Sequence, residues 1–215
     1  MASKKAPLNR ETVLATALRM ADEGGVEALS MRKLGQALGV EAMSLYHHVR
    51  NKEEVIDGIV DLVFAEIDLP EDGEPWREAM RRRAVSARCT LLRHPWAASL
   101  MNARPNPGPA TLRHHDAVIG SLRGNGFDLV LAAHAFSVID SYLFGFALTQ
   151  ATLPFENEEQ LAAVVQHILP RIPRDQYPHL HELTINHVMQ PGYDYADEFA
   201  FGLELVLEGL ERARG

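Results

Sequence analysis

The chain has 215 residues, 47% of them hydrophobic, and a formal net charge of −8 at pH 7. Its single cysteine, Cys89, excludes an intramolecular disulfide framework and fits a reducing compartment. The opening MASKKAP lacks the apolar run of a signal peptide, and no stretch reads as long and apolar enough to span a bilayer, so a cytoplasmic protein free of membrane is expected.

Asn9 is placed to cap a first helix running to about Glu23, with Glu11 favourably set against its dipole. Val13, Leu14, Ala17, Leu18 and Ala21 form its apolar stripe, and Gly24-Gly25 stops it. Ser30 caps a second helix in which Met31, Leu34 and Leu38 share a face. Gly39 then sits where a helix end needs left-handed dihedrals. Glu41 to Val49 reads as a third helix, with Leu45 and Val49 turned to a core. Asn51 and Glu54 resemble a capping box, so a further helix opens at Lys52 and runs to about Ile67. Helix, glycine turn, helix is either an ordinary αα-hairpin or a helix-turn-helix, whose second helix enters a DNA major groove.

Charge divides along the same line. Residues 1–52 hold eight Lys or Arg against five Asp or Glu, a net +3. The remainder holds thirteen against twenty-four, a net −11. A basic segment on an acidic body turns the first toward phosphates and the second away. Residues 1–52 are therefore expected to form a head and 53–215 a body, joined by the helix over about 52–67. Lys4 and Lys5 belong either to an arm touching DNA or to a solvated terminus.

LPEDGEP at 69–75 breaks the chain, and Trp76 to Arg93 resumes as a helix in which Arg81, Arg82 and Arg83 read as a solvated face paired with acids. A short helix over about Ala97–Met101 precedes a loop marked by Pro105, Pro107 and Pro109. Ala110–Arg123 is helical and is ended by Gly124 and Gly126. Asp128 caps a helix reaching about Thr152 that is apolar nearly all round, which requires burial on every side, in a core and against a partner. Further helices are expected over Glu158–Leu169, His179–Val188 and Tyr195–Ala213. There is no strand signal, so the fold class is all-α: a three-helix head and a larger helical body.

Leu34, Leu38, Gly39, Val40, Leu45, Tyr46, His48, Val49 and Lys52, as LxxxLGVxxxxLYxHVxxK, closely resemble the DNA-binding motif of the tetracycline-repressor (TetR) family of bacterial transcriptional regulators. The body adds EPWREAMRRRAVSARCTLLRHP, then ARP at 103–105 and GNGFD at 124–128, which look like the tetracycline repressor proper. The resemblance implies a ligand-responsive regulator, most simply a repressor. It would be a homodimer on a palindromic operator in double-stranded DNA, released by a small-molecule effector, with the long late helices of two copies paired as a four-helix bundle.

The resemblance places base readout on Ala42, Met43, Ser44, Tyr46 and His47, a guanine contact on Arg32, and phosphate anchoring on Ser30, Tyr46 and Lys52. Arginine is the commonest bidentate partner of guanine, whereas Ala42 and Met43 suit thymine methyls. Tyr46 and His48 alternatively only pack the head together. In the body, a pocket would be lined by Trp96, Leu100, Met101, Val118, Phe136 and Phe144, with Arg104, His115 and Asp140 as polar points; each apolar residue alternatively is plain core. Of these, Arg104 matches a position that contacts effector in the family. Asp140, an acid within an apolar helix, would recognise effector or bond across the dimer.

No metal or other cofactor is expected. The adjacent pairs His47-His48 and His114-His115 point to different helix faces, and His179 and His181 have no zinc spacing. The tetracycline repressor takes its drug with magnesium through histidines, and the matching positions here are Asp68 and Leu100, which do not support that chelation. No catalytic residue is assigned, because no phosphate-binding glycine loop, nucleophile–base pair or paired-carboxylate motif stands out. A ligand-turning enzyme and an effector-independent DNA or protein-interaction module are the rival readings.

Overall fold

A computed structural model of the chain describes residues 8–101, 103–155 and 157–215. Ten α-helices build it, and there is no strand among the described residues. They are α1 (Arg10–Gly24), α2 (Met31–Leu38), α3 (Ala42–Leu45), α4 (Lys52–Ala65), α5 (Trp76–Arg93), α6 (Pro109–Gly124), α7 (Leu129–Ala151), α8 (Glu158–Ile168), α9 (Pro178–Leu183) and α10 (Tyr195–Arg214). The expected basic arm with Lys4 and Lys5 lies outside the described residues.

The expected caps are made. Asn9 accepts from the Thr12 N–H, whose hydroxyl accepts in return from Asn9, closing a capping box. Ser30, Asn51 and Asp128 each accept from the N–H three residues on. At α4 the reciprocal half differs: Glu54 accepts from the backbone and side chain of Arg50, one residue before the cap.

Three boundaries depart from the sequence reading. The helix expected over Glu41–Val49 is α-helical only at Ala42–Leu45; it tightens through Tyr46 and His48 into i→i−3 bonds before Val49 closes on Leu45. Residues 97–101 are turns, with Ala97 bonding back to His94 and Leu100 to Ala97. The helix expected at His179–Val188 is α9 followed by one π-helical turn, Thr184–Val188.

One buried apolar cluster runs from Val13 and Leu34 in α1 and α2, through Val55, Ile59 and Phe64 of α4, to Leu143 of α7 and Leu207 of α10. α7 is the axis of the body: Ala132, Ala135, Ile139, Leu143 and Ala147 face inward among α5, α6 and α10. Burial is not complete on every face. Leu129, Val130, Val138 and Leu148 of α7 stay exposed, as do Phe201 and Leu205 of α10. α7 is also long and apolar enough to cross a membrane by composition, contrary to the sequence expectation, but its inward face is built into the core of this chain.

Tyr142 fastens α7 to α10 by donating to the carbonyls of Glu198 and Phe199 at 3.0 and 2.9 Å, with its ring stacked on Phe199. On the far side of α10, Glu204 accepts from Arg81 and Arg77 of α5. The hydrogen bond from Arg81 is the main reason its carboxyl is pulled down from 4.5 to about 2, against the opposing effect of burial. A carboxyl depressed in the folded state contributes stability above its unfolded pKa and loses it as pH falls through the folded one. Glu204→Gln is therefore expected to melt below the parent at pH 7, with the difference undiminished down to 4.5 and gone near about 2, as read from melting temperatures.

Candidate nucleic-acid interface and effector site

The head is set by how closely α2 approaches α3. Gly39, the C-cap of α2, takes φ 65° and ψ 40°, a left-handed conformation costly for any residue with a Cβ. Gly35, one turn earlier, has no room for a side chain: a Cβ there would lie 3.0 Å from the Val40 carbonyl and 3.2 Å from the Ala42 backbone. Sequence reasoning passed over Gly35, although a glycine inside an amphipathic helix is a signal of close backbone approach. Leu34, Leu45 and Val49 anchor both helices in the core.

That packing turns one polar and apolar rim outward. Met43 is 74% exposed and Tyr46 45%. Arg32 and His47 are exposed, while Ala42, Ser44 and Lys52 are half-buried. Ser30 accepts from the Lys33 N–H at 3.3 Å, which leaves its hydroxyl proton free to donate. His48 is half-buried, in keeping with a packing role.

The head is joined to the body at two places. At the first, His94 ends α5 with Nδ1 2.7 Å from Asp22 of α1 and Nε2 3.3 Å from Glu66 at the end of α4. Trp96, expected in the pocket, instead donates its indole N–H to Asp22 at 2.8 Å. At the second, α4 carries Glu53, Asp57 and Asp61 on one stripe at i, i+4, i+8. Arg104 donates to Asp57 at 2.6 Å and to Glu53 at 2.8 Å. Those carboxylates outweigh burial, which favours the neutral form, and raise its pKa. Asp61 accepts from the Ala110 and Thr111 N–H groups and the Thr111 hydroxyl, capping α6 from another helix where its own N-cap, Gly108, cannot. Arg104, matched to an effector contact, is thus already committed within the chain.

Of the expected pocket residues, Met101, Arg104 and His115 share a cavity of about 180 Å³ with Asp57, Val60 and Thr111. Val118 and Phe144 are core, Leu100 and Phe136 are partly buried against it, and Phe136 meets the His115 ring edge-on at 5.3 Å. Asp140 faces neither alternative expected of it. It accepts from Arg83 Nη2 at 2.6 Å inside the same chain. Arg83, read as part of a solvated face, is 1% exposed, whereas its neighbours Arg81 and Arg82 do pair with surface acids. Its Nε donates to His114 Nε2 at 2.9 Å. Burial first, then Arg83 and His115, push the His114 imidazole down to about 3, so it is neutral. Among the described residues no group of side chains is arranged to hold a metal ion.

An all-α chain with a helix-turn-helix head and a separate cavity-bearing body defines a DNA-binding regulator of the effector-responsive class. Residues 13–59 match the family model for bacterial regulatory proteins of the tetR family, and residues 69–214 the tetracyclin repressor-like C-terminal domain. The chain is 32% identical over 213 residues to the class D tetracycline repressor protein of Escherichia coli, covering 96% of this chain and 90% of that one. It is 31% identical over 210 residues to an HTH-type transcriptional regulator of Saccharopolyspora erythraea, covering 97% and 86%. Among solved structures, ActR of Streptomyces coelicolor in complex with actinorhodin superposes with a TM-score of 0.79 at 29% identity, over 98% of this chain and all of that one. The chain belongs to the TetR family and is a ligand-responsive, DNA-binding transcriptional regulator, not an enzyme.

Gly39→Ala is expected to lower stability by about 1–2 kcal/mol through left-handed strain, measured by urea unfolding.

Proposed function

We propose that two copies of this chain form a homodimer that represses transcription from a partly palindromic operator and leaves it when a small molecule occupies the body. The observation that carries the DNA half is the solvent-facing rim of Arg32, Met43, Tyr46 and His47, backed by a core that spans head and body. A methionine at 74% exposure is a cost in water that contact with thymine methyls would remove. Arg32 reads guanine, Ala42 and Ser44 line the same helix, and Ser30, Tyr46 and Lys52 hold phosphates. The head ends at Lys52 and the body follows.

The uncovered apolar faces of α7 and α10 support the dimer, with Phe201 at 66% and Leu205 at 55% exposed. Two recognition helices in a helix-turn-helix dimer meet half-sites about 34–36 Å apart, so their spacing decides affinity. The body accepts an effector as ActR accepts actinorhodin. Occupation next to Arg104 and Thr111 would disturb the bonds that hold α4, moving the heads; effector and DNA then oppose each other, typically by about 1–3 kcal/mol. Nothing in this reading requires a membrane, and a cytoplasmic location follows from the DNA target.

Selection from a randomised DNA pool is expected to enrich an inverted repeat; no enriched sequence from folded protein would sink the reading. On that operator, Arg32→Ala should cost about 1–3 kcal/mol and relax specificity at one base pair per half-site. Lys52→Met should weaken all sequences alike and lower the salt slope by about 2 for a dimer.

A further inference from the structure

The centre of the body holds a polar cluster that its own chain leaves incomplete. Arg83 of α5, His114 of α6 and Asp140 of α7 converge there, all of them buried. Arg83 spends Nε on His114 and Nη2 on Asp140, and its Nη1 has no partner. Because Arg83 donates into His114 Nε2, that nitrogen bears no proton and the neutral ring carries its hydrogen on Nδ1. Nδ1 is likewise buried and without a partner. Both incomplete atoms are therefore donors, in a place where an unmade hydrogen bond is costly.

Charge at the cluster is already balanced. Asp140 lies 2.6 Å from Arg83, so an incoming anion would face its carboxylate and an incoming cation the guanidinium. What the cluster lacks is neutral acceptor oxygen. Its surroundings are aromatic: Phe64 packs on His114 at 5.4 Å and on His115 at 5.6 Å, and Phe136 closes on His115. His115 also lines the cavity next to Arg104, and its ring stands 6.0 Å from that of His114, so one side chain separates that cavity from the two donors.

Building on the effector reading above, we propose that the effector is an uncharged aromatic compound bearing carbonyl oxygen, which displaces the His115 ring and accepts from Arg83 Nη1, with His114 Nδ1 donating to a second oxygen where the compound has one. Asp140 then serves as a positioning residue that holds the guanidinium and repels acidic compounds, rather than as a direct contact. Val118 and Phe144 remain core behind the site.

The test compares three probes on the full-length protein by ligand-observed NMR titration: 1-tetralone, its carbonyl-free analogue tetralin, and the anion 1-naphthoate. Tetralone is expected to bind at least tenfold more tightly than either. Arg83→Met combined with Asp140→Leu removes both charges together, so no lone ion is left buried, and should bind tetralone and tetralin alike. No binding of tetralone, equal binding of tetralone and tetralin by the parent chain, tighter binding of naphthoate, or an unchanged preference in the folded double variant would each overturn the proposal. The regulator reading survives such a failure if any other compound releases the selected operator, and falls separately if none does.

Discussion

The constraint on which the rest depends is the carboxylate stripe of α4. Glu53, Asp57 and Asp61 sit one turn apart on the helix that leaves the head, and all three are engaged by the loop and helix that follow the cavity. Asp61 does work that α6 cannot do for itself, since Gly108 offers no side chain to its first N–H groups. Arg104 adds a charge-assisted fork on Asp57 and Glu53, stronger and more directional than a neutral contact. The position of the head is thereby tied to the conformation of residues 103–111. Any molecule entering at Met101, Arg104, Thr111 and His115 meets the same atoms that hold α4.

The second joint, at His94, makes the arrangement stiff on its other side. Asp22 belongs to α1, Glu66 follows α4, and both converge on one buried imidazole and on Trp96. A head held at two separated places cannot swing without breaking one of them. The buried Arg83–Asp140 pair has a different role. It crosses from α5 to α7 within the body, and such pairs contribute little net stability while fixing which arrangement is adopted.

Most of the fold was legible because its determinants are local. Asn9, Ser30, Asn51 and Asp128 announce helix starts by side chains that reach three residues on, and Gly39 announces an end by its dihedrals. The exposed rim around Met43 was legible for the same reason, through the spacing of Leu34, Leu45 and Val49. The cavity was less so. Trp96 and Arg104 fall on partners 74 and 47 residues away, in helices whose relative placement no periodicity encodes. Arg83 looked like its neighbours Arg81 and Arg82 because a run of three arginines spans nearly a full helical turn, and only the packing decides which one points inward. The clue that was available was Asp140, an acid in an apolar helix, which required a buried cation from somewhere. The shortened recognition helix and the turns at 97–101 reflect competition between i→i−3 and i→i−4 bonding, a choice that sequence pattern does not resolve.

The most direct test of the account is the separation of the two heads in the proposed dimer. Spin labels at Glu41→Cys, in a Cys89→Ser background, would report it by double electron–electron resonance, with and without Arg104→Met. The account predicts one narrow distance distribution for the parent and a broadened or shifted one once the fork on Asp57 and Glu53 is lost. An unchanged, narrow distribution in the Arg104→Met protein would show that the α4 stripe does not set the spacing of the heads.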